Sequence, residues 1–227
     1  MLSKTQGIVI NYVKYKESSI IAKVYTKEFG IQSYIENGVR SARAKNKIAL
    51  FQPLTLLDLV IYHKEGKDIH RIAEIKCNHP FESIPYEIAK SSVAIFVTEI
   101  LTKTLREESP NEQLFEFVEQ SILWLDGANK HFECFHIQFL LSMTAYLGFL
   151  PETLEEMEEE LSLYGYPLTK GAKAGLQLLW GLEYGEVPRI DRHSRNEMVE
   201  ILLHWYKIHL ETFGEIKSLA VLKEILH

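Results

Sequence analysis

The hydrophobic pattern changes its period once, at Pro85, and that change limits the chain to a strand-built half followed by a helix-built half. Before Pro85 the apolar residues recur every second position, the mark of half-buried strands. Gln6 to Val13 sets Ile8, Ile10 and Tyr12 on one face. Ser19 to Thr26 sets Ile20, Ala22 and Val24 against Lys23 and Tyr25. Ile31 to Glu36 sets Ile31, Ser33 and Ile35 opposite Gln32, Tyr34 and Glu36, after a tight turn at Phe29-Gly30. Leu54 to Tyr62 is apolar on both faces, as a central strand is, and a turn around Gly66 joins it to Asp68 to Lys76 as a hairpin. Five short strands without helical periodicity predict a closed barrel, because closure removes exposed edges. A five-stranded oligonucleotide-binding (OB) barrel is the common architecture of this size.

After Pro85, which suits a first helical turn, the spacing becomes helical. Val93 to Leu105 is apolar nearly all round and predicts a buried helix. Ser109-Pro110-Asn111-Glu112 reads as a capping box with Pro at the first helical position, opening a helix that stops at Gly127. A third helix spans about His131 to Leu147. Ser194 to Glu197 is a second capping box, opening a helix that closes at Gly214, and a last helix covers about Ser218 to Leu226. The expected fold class is therefore α+β and multidomain, with an OB-fold barrel over residues 1–80 and an all-α domain over 81–227.

Charge divides along the same line. Residues 1–82 carry 13 Lys and Arg against 8 Asp and Glu, whereas the remainder carries 12 against 23. The basic half is thus the candidate for an anionic partner. Its densest stretch is Gly38 to Lys47, with Arg40, Arg43, Lys45 and Lys47 and no acid. A cationic loop hung from a small sheet suits a phosphate backbone, although a merely solvated loop has the same composition. Lys14, Lys16 and Lys23 add to the positive field. Tyr15, Tyr25 and Tyr34 are candidates for base stacking, against the plainer reading of barrel packing.

Catalytic grammar is missing. There is no Gly-x-x-x-x-Gly-Lys, Gly-x-Gly-x-x-Gly, His-Glu-x-x-His or Gly-x-Ser-x-Gly. Cys77 and Cys134 are too few for a disulfide framework, and their His neighbours at 79 and 136 fall short of a zinc set. The six glutamates between Glu152 and Glu160 read as a wet acidic face and not as convergent metal ligands. No metal, cofactor or catalytic residue is expected. No apolar run approaches the roughly 18 residues of a membrane span, and residues 1–6 hold no apolar signal core, so a cytoplasmic chain without membrane partners is expected.

Gly7-Ile8-Val9, Tyr15 to Val24, Gly30 to Arg40 and Gln52-Pro53-Leu54 resemble the N-terminal OB domain of the RecO family, bacterial recombination mediators. Phe135 to Leu150, with Gly148-Phe149, and Gly214 to Leu222, with Lys217-Ser218, resemble its helical domain in the same order. The resemblance implies a non-enzymatic DNA repair and recombination protein that is nucleoid-associated during repair. Members bind single- and double-stranded DNA, anneal complementary strands, contact the acidic C-terminal tail of single-strand-binding protein, and with RecR load RecA. It singles out Arg40, after Gly38, for DNA contact. For the acidic tail it implies an apolar pocket flanked by cations, for which Leu101, Lys103, Leu105 and Arg106 are the candidates. Many members carry four zinc-binding cysteines after a Gly-Phe-x-Pro motif; here Gly148-Phe149-Leu150-Pro151 leads into glutamates instead. Two other readings remain open from the residues alone: an interaction adaptor working through the acidic helical half, and a metal-dependent nuclease built on the glutamates.

Overall fold

The computed structural model describes residues 2–40, 47–64, 66–105, 109–186 and 188–226. Arg43, Lys45 and Arg106, singled out above, lie outside the described residues. The chain forms two compact units, one made of the residues up to Pro85 with Val97–Ile122, the other of Tyr86–Phe96 with everything from Leu123 onward.

In the first unit five strands close a barrel: β1 (Leu2–Tyr15), β2 (Ser19–Thr26), β3 (Gly30–Glu36), β4 (Leu56–Tyr62) and β5 (His70–His79). Their order round the barrel is β1-β2-β3-β5-β4, with β3 and β5 parallel and the other neighbours antiparallel, which is the OB arrangement. Strand β1 serves two partners, its first half pairing with β4 and its second with β2. Gly7 sits where it changes partner. A Cβ there would meet Val24 Cγ1 at 2.7 Å and Leu59 Cδ1 at 3.0 Å, so only glycine lets the three strands approach.

The barrel interior is filled by Val9, Ile20, Ala22, Val24, Tyr34, Leu57, Leu59 and Ile61. Each such side chain contributes about 1.5–3 kcal/mol by leaving water. A 3-10 turn, Lys47–Phe51, adds Phe51 to the same core, fully buried. Composition cannot reveal such a turn, because it is too short to show a period.

Alternation along β1 is broken by a bulge between Val9 and Asn11. Ile8, Ile10 and Tyr12 therefore do not share a face as the spacing predicts. Val9 and Tyr12 turn inward, opposite Val24 and Ala22, while Val13 turns out and is 59% exposed. The fourth strand begins at Leu56 and not Leu54, because Leu54 adopts a left-handed φ of 66° that no strand residue holds. The fifth begins at His70, two residues later than the spacing predicts.

Two helices span both units: α1 (Ile88–Thr104) and α2 (Glu112–Gly127). The cap of α2 is Asn111, whose Oδ1 accepts from the Leu114 N–H at 3.0 Å, and not the Ser109-Pro110 pair. Within the first unit Tyr25 packs on Phe115, with ring centroids 5.6 Å apart, and its hydroxyl donates to the Asn111 carbonyl at 3.1 Å. Lys27 reaches Glu112 and Glu116, each at 2.9 Å.

The second unit holds α3 (Phe135–Leu147), α4 (Leu154–Leu163), α5 (Lys170–Leu179), α6 (Arg192–His209) and α7 (Leu219–Ile225). The buried Tyr206 hydroxyl donates to the Leu140 carbonyl at 2.8 Å, and Trp205 Nε1 donates to the Phe149 carbonyl at 3.1 Å, fastening α6 to α3 and the turn after it. Helix α6 opens two residues before Ser194: the Asp191 carboxylate caps it, accepting from the Ser194 N–H at 3.0 Å. It ends at His209, not at Gly214. The glutamate run forms α4, capped by Thr153, with Leu154, Met157 and Leu161 inward. No sequence expectation covered α5. Among the described residues no helix is long and apolar enough to cross a membrane.

His136 on α3 is fully buried, and burial first, then the nearby Arg195 charge, pushes its imidazole down to about 3 from 6.5. Between those values the unfolded chain binds the extra proton and the folded chain does not, so stability falls as pH falls, by up to about 1.4 kcal/mol per pH unit. Chemical denaturation at pH 7 and pH 5 should therefore show a smaller loss on acidification in His136→Gln than in the parent chain.

Candidate nucleic-acid interface

Three hydrogen bonds join two loops at one end of the barrel. Gly38, at a φ of 72°, turns the chain after β3 and lets Val39 drop into the barrel core at 1% exposure. That anchor carries Arg40 to the β1–β2 turn. The Arg40 N–H donates to the Ser18 carbonyl at 3.0 Å, its Nη1 to the Lys16 carbonyl at 3.4 Å, and Ser19 Oγ donates to Asn37 Oδ1 at 2.9 Å. Lys16 takes a left-handed φ of 50° to make the turn, and its ammonium lies 5.4 Å from the centroid of the Tyr15 ring. Lys14, Lys16 and Arg40 are all exposed. Two cations, Lys16 and Arg40, and one accessible aromatic ring are thereby collected from two segments more than twenty residues apart in sequence, while Lys14 stands on the other face of the same strand end.

The other candidates separate from this cluster. Lys47 opens the 3-10 turn and reaches the Glu36 carboxylate at 2.5 Å, so its charge is matched. Lys23 stands half-buried in mid-strand, opposite Asn11 on one side and Ser33 on the other. Tyr34 lies wholly inside the barrel, and Tyr25 is 2% exposed beneath Phe115, where burial pushes its hydroxyl up to about 12. Neither ring has a face free for a base, which corrects the stacking expectation for both. Tyr15 remains, 38% exposed.

The sequence reading missed a row that only the pairing reveals. Val13 lies opposite Ile21, Ile21 opposite Ile35, and Ile35 opposite Arg71, so four strands place these residues side by side on the outer face. Val13 and Arg71 are exposed, and Ile21 and Ile35 partly so. An apolar strip ending in a cation is what flat bases beside a phosphate backbone require. No local signal points to Arg71, because it arrives through the parallel β3–β5 contact between segments far apart in the chain.

Of the acidic-tail candidates, Leu101 and Lys103 lie on the last turn of α1, Leu105 follows it, and Arg106 is outside the described residues. Leu101 is fully buried and Leu105 is 6% exposed, so neither offers open apolar surface; Lys103 is half-buried. The exposed acids of α4 face water, with Glu158 paired to Lys173. Among the described residues no three His, Cys, Asp or Glu side chains converge as metal ligands.

Residues 1–81 match the family model described as "Recombination protein O N terminal", and residues 85–160 match "Recombination protein O C terminal". Curated relatives extend the match over the full length. "DNA repair protein RecO" of Phocaeicola vulgatus is 34% identical over 239 residues, covering 99% of both chains. The protein of the same name from Flavobacterium psychrophilum is 36% identical over 237 residues, again with 99% of each covered. The chain belongs to the RecO family. The first family model coincides with the barrel that carries the cationic cluster, so within this RecO-family chain the cluster lies on the N-terminal domain.

Proposed function

We propose that this RecO-family chain is a non-enzymatic recombination mediator that binds and anneals single-stranded DNA. What chiefly supports this reading is Arg40 tethered to Lys16 beside Tyr15, with exposed Lys14 on the same strand end, on an OB barrel, in a family whose curated relatives are DNA repair proteins. Cations offset the repulsion between two phosphate backbones, and base pairing then drives annealing without any chemical step by the protein. In this reading residues 1–80 hold DNA, single- or double-stranded. Lys23 and Arg71 extend the contact along the outer face, and Arg43 and Lys45 strengthen the field. Residues 81–227 receive partners: RecR, and the acidic tail of single-strand-binding protein, so that RecA is loaded on the cleared strand. Lys103 is the tail contact to test first, because Leu101 and Leu105 are closed off.

The test is annealing of complementary strands precoated with single-strand-binding protein. Faster annealing with the protein is expected, together with a fall in log affinity of about 0.7 per unit of log salt for each phosphate neutralised. A folded sample that leaves the annealing rate unchanged would remove the proposal.

A further inference from the structure

We propose that the second unit contains a pocket for a phosphate monoester, walled by Arg189, Arg192 and Arg195. Arg192 and Arg195 stand in the first turn of α6 and Arg189 in the segment before its cap, and the three line a cleft of about 770 Å³ with His131, Glu133 and Asp191.

Arg195 makes the case. It is only 9% exposed, its Nη1 donates to the Ile190 carbonyl at 2.8 Å, and its Nη2 has no hydrogen-bond partner. No carboxylate lies within ion-pair distance of it among the described residues. A guanidinium cannot shed its proton, and a buried charge without a counter-ion is costly, so chains rarely keep one without something to pair it. Asp191, in the lining of the same cleft, is held by Ser194, whose N–H at 3.0 Å and Oγ at 2.7 Å donate to its two oxygens. Arg192 donates to the Lys223 carbonyl, which neutralises none of its charge.

Ligand class follows from shape and charge. Guanidinium forks from the first turn of α6 and from the segment before it can meet oxygens pointing in different directions, as a tetrahedral phosphate presents them. The depth of Arg195 favours a terminal phosphate over a diester within a strand, which would have to bury both flanking sugars. The cleft is far larger than one phosphate and leaves room for the organic group of a monoester. This site is independent of the barrel cluster.

Adenosine monophosphate is a suitable probe, with adenosine at matched ionic strength as the control, read by calorimetric titration of the full chain. Saturable binding of the nucleotide and none of the nucleoside is expected. Arg195→Gln should weaken it at least tenfold. Arg189→Gln should weaken it several-fold, and because Arg189 is exposed this variant tests the pocket even if the first fails to fold. Arg40→Ala should leave it unchanged. A second arm compares oligonucleotides bearing a 5′-phosphate or a 5′-hydroxyl. Preference for the phosphorylated end assigns the pocket to DNA termini, whereas equal binding of the two assigns it to a free nucleotide. The proposal is overturned if the nucleotide does no better than the nucleoside, if both arginine variants bind like the parent, or if an acidic peptide binds the cleft while the nucleotide does not.

Discussion

Alanine at Lys14, Lys16 and Arg40 together is expected to weaken single-strand binding about a hundredfold at 0.1 M salt. Each lost phosphate contact flattens the dependence of log affinity on log salt by about 0.7, so three flatten it by about 2. The contrast with Lys47 carries the argument. Lys47 belongs to the same sequence stretch as Arg40, yet its ammonium is neutralised by Glu36. Lys47→Ala should therefore change the slope little. If Lys47→Ala and Arg40→Ala flatten it equally, the cluster does not act as a cluster, and the positive charge of the region works only as a diffuse field.

The largest expected loss of stability is at Tyr34. Replacing this fully buried ring by alanine leaves a void in the barrel and should cost about 3–5 kcal/mol, read as a lowered denaturation midpoint. Tyr15→Ala is the counterpart. An exposed ring contributes little to folding, so its stability change should stay within about 0.5 kcal/mol. Binding is another matter: if a base stacks on Tyr15, affinity should fall by about 1–3 kcal/mol. Equal stability losses in the two variants would contradict the burial that separates them.

How much of this could be read from the chain depends on how local each determinant is. Strand β2 was legible to the residue because Ile20, Ala22 and Val24 recur at every second position with Lys23 and Tyr25 on the other face. In β3 the alternation was visible but not which face pointed in. The inward set is Gln32, Tyr34 and Glu36, and its polar members are tolerated because Gln32 donates to the Phe29 carbonyl and Glu36 meets Lys47. The interiors of α1, α2, α3 and α6 were likewise plain while α5 went unread, and the starts of α2 and α6 were displaced where Asn111 and Asp191 did the capping in place of the serines nearby. The cationic loop announced itself by composition, and a resemblance singled out Arg40. Its meeting with Lys14, Lys16 and Tyr15 could not be read, since it depends on Val39 entering the barrel. Arg71 and Arg195 were missed for the same reason: the parallel strand contact and the cleft at the α6 N-terminus exist only after the chain has folded.

The bulge at Ile10 has a consequence for how this surface can change. Downstream of it, β1 is half a pleat out of phase with its own beginning, and that offset is what sends Val13 and Tyr15 outward and Tyr12 in. Point substitutions at Lys14 or Lys16 adjust charge without disturbing that phase. Removing the single residue at position 10 would take out the bulge yet leave Asn11 to Tyr15 opposite their present β2 partners, so Tyr15 would stay outward and Tyr12 in. The binding face is thus open to variation in composition, and at the bulge the strand accommodates one extra residue without turning that face over.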